Sequence, residues 1–249
     1  MSSTTQPSVA ARDARASIFG RVLVGIDGTP ESLEAARQAG ALATGPVTLL
    51  SAYDVTKTVV GASMAPAPPV HLDEAPFREA ARSALERARP LVAPIEPVVK
   101  IARARAWEAL LDEIGAGHET LVAVGAHRRS RATGILIGST ATELLHKAPC
   151  SVLIARRPLK KFPTAIAVGV DGSPEAAAAE AVARDMAERF DSDLSRYESV
   201  DDSVRTLVHA TRESELLVVG SRGLKGIKAL GSVSERVAHE AACSVLIVR

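Results

Sequence analysis

Between Gly125 and Thr140 the chain reads Gly125-Ala-His127-Arg128-Arg129-Ser-Arg131-Ala-Thr-Gly134-Ile-Leu-Ile-Gly138-Ser139-Thr140. Glycines allow backbone N–H groups to approach a ligand closely. If Gly138-Ser139-Thr140 opens a helix, its unpaired N–H groups and positive dipole end point the same way, and the two hydroxyls add donors. Such a set suits a di- or triphosphate. The same residues also describe an ordinary strand-to-helix turn with a capped helix, and residue chemistry alone leaves both readings open. Two familiar phosphate loops are excluded. No Gly-Lys-Ser/Thr stands at P-loop spacing, and no G-x-G-x-x-G follows the first strand. The Arg128–Arg131 cluster is either a solvated loop or a phosphate clamp.

Other reactive residue types carry weaker cases. Asp27 and Asp171 fall in separate halves, which disfavours a paired-acid mechanism and favours a capping or ligand role. No two histidines stand at i, i+4, so metal-binding spacing is missing. His146 and His239 occupy last-turn helix positions, where the dipole favours them. Cys150 and Cys243 open apolar runs and read as core. Ser139 lacks the G-x-S-x-G elbow of a nucleophile.

The elements that must position these residues come in two copies. Arg21-Val-Leu-Val-Gly-Ile-Asp27-Gly28-Thr29-Pro30-Glu31 aligns with Ala165-Ile-Ala-Val-Gly-Val170-Asp171-Gly172-Ser173-Pro174-Glu175, and His146-Lys-Ala-Pro-Cys150-Ser-Val-Leu-Ile154 with His239-Glu-Ala-Ala-Cys243-Ser-Val-Leu-Ile247. Ordered matches of this kind mark an internal duplication. The offset is 144 residues at Asp27 but 95 at Gly125, so the second copy is 49 residues shorter between its first helix and its fourth-strand equivalent. The omission is expected to remove its second strand, a loop, a helix and its third strand, with residues 191–200 unplaced.

In the first copy, the short continuous apolar run Val22–Ile26 predicts a buried parallel strand, and further strands are expected at Val47–Tyr53, near Val98–Ala102, at Leu121–Gly125 and at Cys150–Ala155. Helices are expected from Thr29-Pro30-Glu31 to about Ala43, at Phe77–Arg89, Trp107–Gly115 and Thr140–Lys147. Thr140 and Glu143 have capping-box spacing. Asp54–Pro76 is a Pro/Ala/Gly-rich loop, a candidate lid. The second copy predicts strands at Ile166–Val170, Leu216–Gly220 and Ser244–Val248. Its helices are Glu175–Phe190, Asp201–Arg212 and Val233–Glu240, with Ser232 and Glu235 again at capping-box spacing. Alternating strands and helices predict an α/β fold with parallel sheets covered on both faces.

An Asp after the first strand, a pattern of the form G-x2-G-x9-G-S/T after the fourth, and a last strand reading Ala-Pro-Cys-Ser-Val-Leu-Ile resemble the universal stress protein family over nearly all of residues 20–249. The resemblance implies two flavodoxin-like domains, the first with strand order 3-2-1-4-5 at residues 18–156 and a truncated one at 164–249, after a tail at 1–17. It implies binding of ATP, with or without Mg, or of a related adenine nucleotide, and dimers formed through the last strand. It places Asp27 beside the adenosine and Ala52 at the adenine. Gly125, His127, Gly138, Ser139 and Thr140 would hold ribose and phosphates. Arg128 stands where the family has its second glycine and would either grip a phosphate or block the loop. The second copy keeps Asp171, Gly220, Gly223, Gly231 and Ser232, but its glycine spacing is two residues short, and it is expected not to bind. The resemblance implies a nucleotide-responsive stress regulator without dedicated catalysis, slow hydrolysis aside. The alternatives are an interaction module of the same fold that binds no nucleotide, and a slow ATPase or phosphotransferase.

Bulk properties narrow the classes. A net charge of +1 and 3% aromatic residues give no basic surface and few stacking platforms, so nucleic acid is not an expected partner. No run approaches the roughly 18 apolar residues of a membrane span. The polar N-terminus and two cysteines fit the cytoplasm. A strand edge laid open by the shortened second copy, at its first strand, is expected to be covered in a homodimer.

Overall fold

The apolar runs of both copies become the strands of one sheet. A computed structural model of the chain describes residues 19–55, 73–126, 137–156, 161–198, 203–221 and 232–249. The first copy comprises β1 (Val22–Gly25), α1 (Pro30–Leu42), β2 (Val47–Tyr53), α2 (Ala75–Ala88), a short 3-10 turn at Arg89–Val92, β3 (Val98–Arg103), α3 (Ala106–Gly117), β4 (Leu121–Gly125), α4 (Ser139–Lys147) and β5 (Ser151–Ala155). The second comprises β6 (Ala165–Val170), α5 (Pro174–Phe190), β7 (Asp193–Glu198), α6 (Ser203–Ala210), β8 (Leu216–Gly220), α7 (Ser232–Glu240) and β9 (Ser244–Val248).

The duplicated Asp-Gly-Thr/Ser-Pro segment starts a helix in the same way twice. Thr29 caps α1, its hydroxyl accepting from Ser32 N at 3.2 Å, with Pro30 at the first helical position. Ser173 caps α5 by the same bond from Ala176 N, also 3.2 Å. Proline suits that position because its missing N–H would have had no helical partner. Gly28 and Gly172 turn the chain into these caps at φ of 81° and 78°, a left-handed conformation that glycine adopts without steric cost.

The sheet runs β3-β2-β1-β4-β5-β9-β8-β6-β7. Each half is internally parallel, and the halves meet where β5 pairs antiparallel with β9. Helices cover both faces. α1, α2 and α5 bury Ala39, Leu85 and Met186 against one face, and α3, α4, α6 and α7 bury Leu110, Leu144, Leu207 and Val237 against the other. Each buried cluster draws residues from both copies.

Three expectations need correction. The second copy does not lose its second strand: β7 pairs parallel with β6 from Ala165↔Asp193 to Val170↔Glu198, as β2 pairs with β1. Its sequence, DLSRYE, is mainly polar because the strand lies at the sheet edge and is largely exposed, so an apolar-run search passes over it. Among the described residues, no strand stands beside β7 in the third-strand position. The first strand of the second copy is therefore not an open edge. The Thr140–Glu143 capping box does not form either. α4 starts one residue earlier, with Gly138 as its N-cap and no side-chain cap bond, and Glu143 pairs with Lys147 at 2.7 Å.

Other readings hold. Cys150 and Cys243 are buried free thiols. His146 lies in the last turn of α4 and His239 in that of α7, and His146 Nε2 also stands 3.6 Å from Glu235 Oε1 across the seam between the copies. Most of the Pro-rich loop, the N-terminal tail, His127, Arg128, Gly223 and Gly231 lie outside the described residues.

Candidate functional site

β1 and β4 are neighbours, yet the chain leaves β1 toward β2 on one side and leaves β4 toward β5 on the other. Connections that diverge in this way open a crevice at the carboxyl ends of the strands, where ligands bind in open α/β sheets. A cavity of about 420 Å³ lies there, within the roughly 300–1,000 Å³ range of small-molecule sites.

Six of the expected site residues line this one cavity: Asp27, Ala52, Gly125, Gly138, Ser139 and Thr140. They arrive from four separate elements. Asp27 lies just beyond β1, Ala52 is the penultimate residue of β2, Gly125 ends β4, and Gly138 caps the helix α4 that Ser139 and Thr140 open. Residues without a motif signature complete the walls. Leu50, Ile26, Leu110 and Ile137 supply apolar surface, and Ala106 and Ser32 bring the first turns of α3 and α1. Ala106 and Leu110 are spaced i, i+4 on α3, which is the signal that would have put both on one helix face.

The polar side of the cavity is built by the α1 start. Asp27 Oδ1 accepts from Thr29 N at 2.9 Å and from the Thr29 hydroxyl at 2.6 Å. The Ser32 hydroxyl donates to Thr29 O at 3.0 Å and accepts from Asp27 N at 3.3 Å. Asp27 therefore holds the turn that aims the β1 end at the cavity. Across the cavity α4 presents its first turn, with Gly138 as its N-cap and, among the described residues, no side-chain bond to that cap. The early N–H groups of a helix lack helical partners, and the aligned peptide dipoles make this end partially positive. The result is an apolar slot beside an N–H-rich helix end, a donor set that fits an aromatic base joined to phosphate.

Gly125 has a packing duty as well. A Cβ there would lie 2.6 Å from both Glu31 C and Ser32 N, so α1 can approach β4 only over a glycine. Gly220 meets the same constraint in the second copy, where a Cβ would stand 2.4 Å from Glu175 O.

The second copy reproduces the turn but not the walls. Asp171 Oδ1 accepts from Ser173 N at 3.0 Å and from its hydroxyl at 2.5 Å. Ala176 stands in the place of Ser32, as the matching caps show. Tyr197 stands in the place of Leu50, because Gly169 pairs with Tyr197 as Gly25 pairs with Leu50. Ser232 begins α7.

Among the described residues no group of three metal-ligating side chains gathers, and no helix is long and apolar enough to cross a membrane.

The sequence model of the universal stress protein family matches residues 19–156 and 196–249. A universal stress protein of Mycolicibacterium smegmatis is 27% identical over 92% of this chain and 96% of its own length. One from Mycobacterium tuberculosis H37Rv is 30% identical over 52% of the chain, a match that spans 61% of that relative. Among solved structures, a universal stress protein from Archaeoglobus fulgidus superposes with a TM-score of 0.71 over 92% of this chain and 98% of its own, at 15% identity. At that identity the likeness establishes the fold.

Proposed function

The chain belongs to the universal stress protein family, and on that premise we propose that its first copy binds ATP or a related adenine nucleotide in the cavity at the β1–β4 switch point. The observation that carries this reading is the convergence of Asp27, Ala52 and the first turn of α4 on one cavity. The apolar slot formed by Leu50, Ala52 and Leu110 would take the base. The N–H groups of α4, with the hydroxyls of Ser139 and Thr140, would take phosphate oxygens, which a helix N-terminus favours. Magnesium would enter as the companion of the triphosphate.

Asp27 is the only carboxylate among the described lining residues, and it is committed to Thr29. That arrangement supports a binding protein in which hydrolysis is slow, since fast phosphoryl transfer needs a positioned base and metal clamp. The second copy is proposed to serve as a structural partner, with Tyr197 filling the space that Leu50 leaves open in the first. Nucleotide occupancy would then be read out by a stress-responsive partner, in a cytoplasmic setting.

Titration calorimetry of the nucleotide-stripped protein with ATP, and of Ala52→Phe, tests the reading. Binding by the wild type that Ala52→Phe abolishes supports it. No binding heat from ATP, ADP or AMP at several temperatures would favour a nucleotide-free interaction module.

A further inference from the structure

The two outer edges of the nine-stranded sheet are built in opposite ways. β7 at one edge carries Asp193, Arg196 and Glu198, with Arg196 paired to Glu198 at 2.6 Å. Charged side chains along an edge prevent sheets from adding to one another. β3 at the other edge carries Val98, Val99 and Ile101, which are 52%, 43% and 37% exposed. The one charge in the middle of that edge, Lys100, is drawn down onto the face of α3, its Nζ 2.7 and 2.8 Å from the two carboxylate oxygens of Glu113. The middle of the edge is apolar but for Lys100, which is neutralised in place, and Arg103 at the end of the strand is paired with Glu74 at 2.7 Å.

We propose that β3 is the self-association edge of this protein, pairing antiparallel with β3 of a second copy about a two-fold axis at Lys100. A two-fold axis perpendicular to the sheet keeps each face on its own side, so only residues of the same parity can stand opposite one another. Centred on Lys100, Val99 meets the second copy's Ile101 twice on one face, and Val98 meets Ala102 twice on the other. A centre at Val99 would set Val98 against Lys100, and a centre at Ile101 would set Val99 against Arg103. Both of these place a charge opposite an apolar side chain. At the Lys100 centre the two lysines stand directly opposite one another, a like-charge pairing that would be destabilising if bare, but each ammonium is held by its own Glu113. The seam that joins β5 to β9 is already used within the chain, so this contact adds to it without competing. Three exposed apolar side chains per copy make a small interface, and the dimer is expected to be reversible at micromolar concentration.

Sedimentation velocity across the micromolar range tests the proposal with three variants of the full chain. Wild type should shift from monomer to dimer as concentration rises. Val99→Glu and Ile101→Lys should each raise the dissociation constant by roughly tenfold or more, because each buries an uncompensated charge in the pairing. The double variant Val99→Glu/Ile101→Lys faces opposite charges at both sites and should recover the dimer, which also shows that the single variants fold. A wild type that stays monomeric throughout overturns the proposal. So do single variants that dimerise like wild type, or a double variant that dimerises no better than the singles.

Discussion

Leu153 lies directly opposite Leu246 in the antiparallel pairing of β5 with β9, and the two are the same position of the two repeats. The chain thus carries a local two-fold axis inside itself. The contact is reciprocal beyond the strands. Arg156 N donates to the Ser244 hydroxyl and Arg249 N to the Ser151 hydroxyl, each at 3.2 Å. The Arg156 guanidinium reaches the Ala238 carbonyl on α7, and that of Arg249 reaches the Leu145 carbonyl on α4. The last-strand edge through which the family resemblance implied a dimer is occupied by the chain's own second copy.

Because both buried clusters cross this seam, the copies are expected to unfold together. Leu153→Ala and Leu246→Ala should each cost about 2–5 kcal/mol, the usual loss for a buried leucine. Circular dichroism and calorimetry should register one transition, shifted to a similar extent in both variants. Two resolved transitions, with only one shifted by each substitution, would refute a shared core.

Gly125 and Gly220 separate packing from binding. A methyl group at either would press on the first turn of the adjacent helix, and overpacking of this kind costs about 1–3 kcal/mol. Gly125→Ala and Gly220→Ala should lower the melting temperature comparably. Only Gly125→Ala, which displaces the Ser32 wall of the cavity, should weaken ATP binding in calorimetry.

Ser139 offers a way to remove a donor without harming the helix. It is the first residue of α4, after Gly138 in extended conformation at φ −68° and ψ 163°, a geometry compatible with a following proline. Proline is favoured at that helical position. Ser139→Pro should leave the melting temperature nearly unchanged while removing one N–H and one hydroxyl. A hydrogen bond to a charged group contributes about 1.5–3 kcal/mol, so ATP affinity should fall by roughly tenfold to a hundredfold. Adenosine affinity should change little, and an equal loss for both ligands would count against phosphate contact at this turn.

Burial pushes the Cys150 thiol up to about 11 from an ordinary value of 9.0, a rise that the nearby Arg249 partly opposes. The sign of the pH effect follows. Below pH 9 the thiol is protonated whether the chain is folded or not. Between about pH 9 and 11 the unfolded chain ionises first, so this group's contribution to stability is lost as pH rises. Urea melts over that range should show a decline that Cys150→Ala reduces, and native Cys150 should alkylate slowly at pH 8. Rapid alkylation without unfolding would contradict its burial.

Much of this was legible in residue order. The duplication, most of the parallel strands, the Asp-Gly-Thr/Ser-Pro helix starts and four of the cavity residues (Gly125, Gly138, Ser139 and Thr140) follow from motif and apolar pattern, because buried strands and capped helices impose strong local rules. Asp27 and Ala52 were placed at the site by the family resemblance alone. β7 was hidden because this exposed edge strand, DLSRYE, carries no apolar run. The true start of α4 was hidden because Thr140 and Glu143 satisfy a capping pattern that Gly138 pre-empts. Leu50, Ala106 and Leu110 were unmarked because a cavity wall assembled from distant elements leaves no contiguous signature. The joining of β5 to β9 depends on which exposed edge finds which, and only the folded chain specifies that.

The proposed function requires one working nucleotide site per chain, in the first copy. Its most direct test is to denature the purified protein, quantify the adenine nucleotide released by chromatography, and titrate ATP into the stripped sample. The expected stoichiometry is near one ATP per chain, abolished by Ala52→Phe. Two per chain would contradict the assignment of the second copy as a structural partner, and none at saturating ATP would contradict the nucleotide site itself.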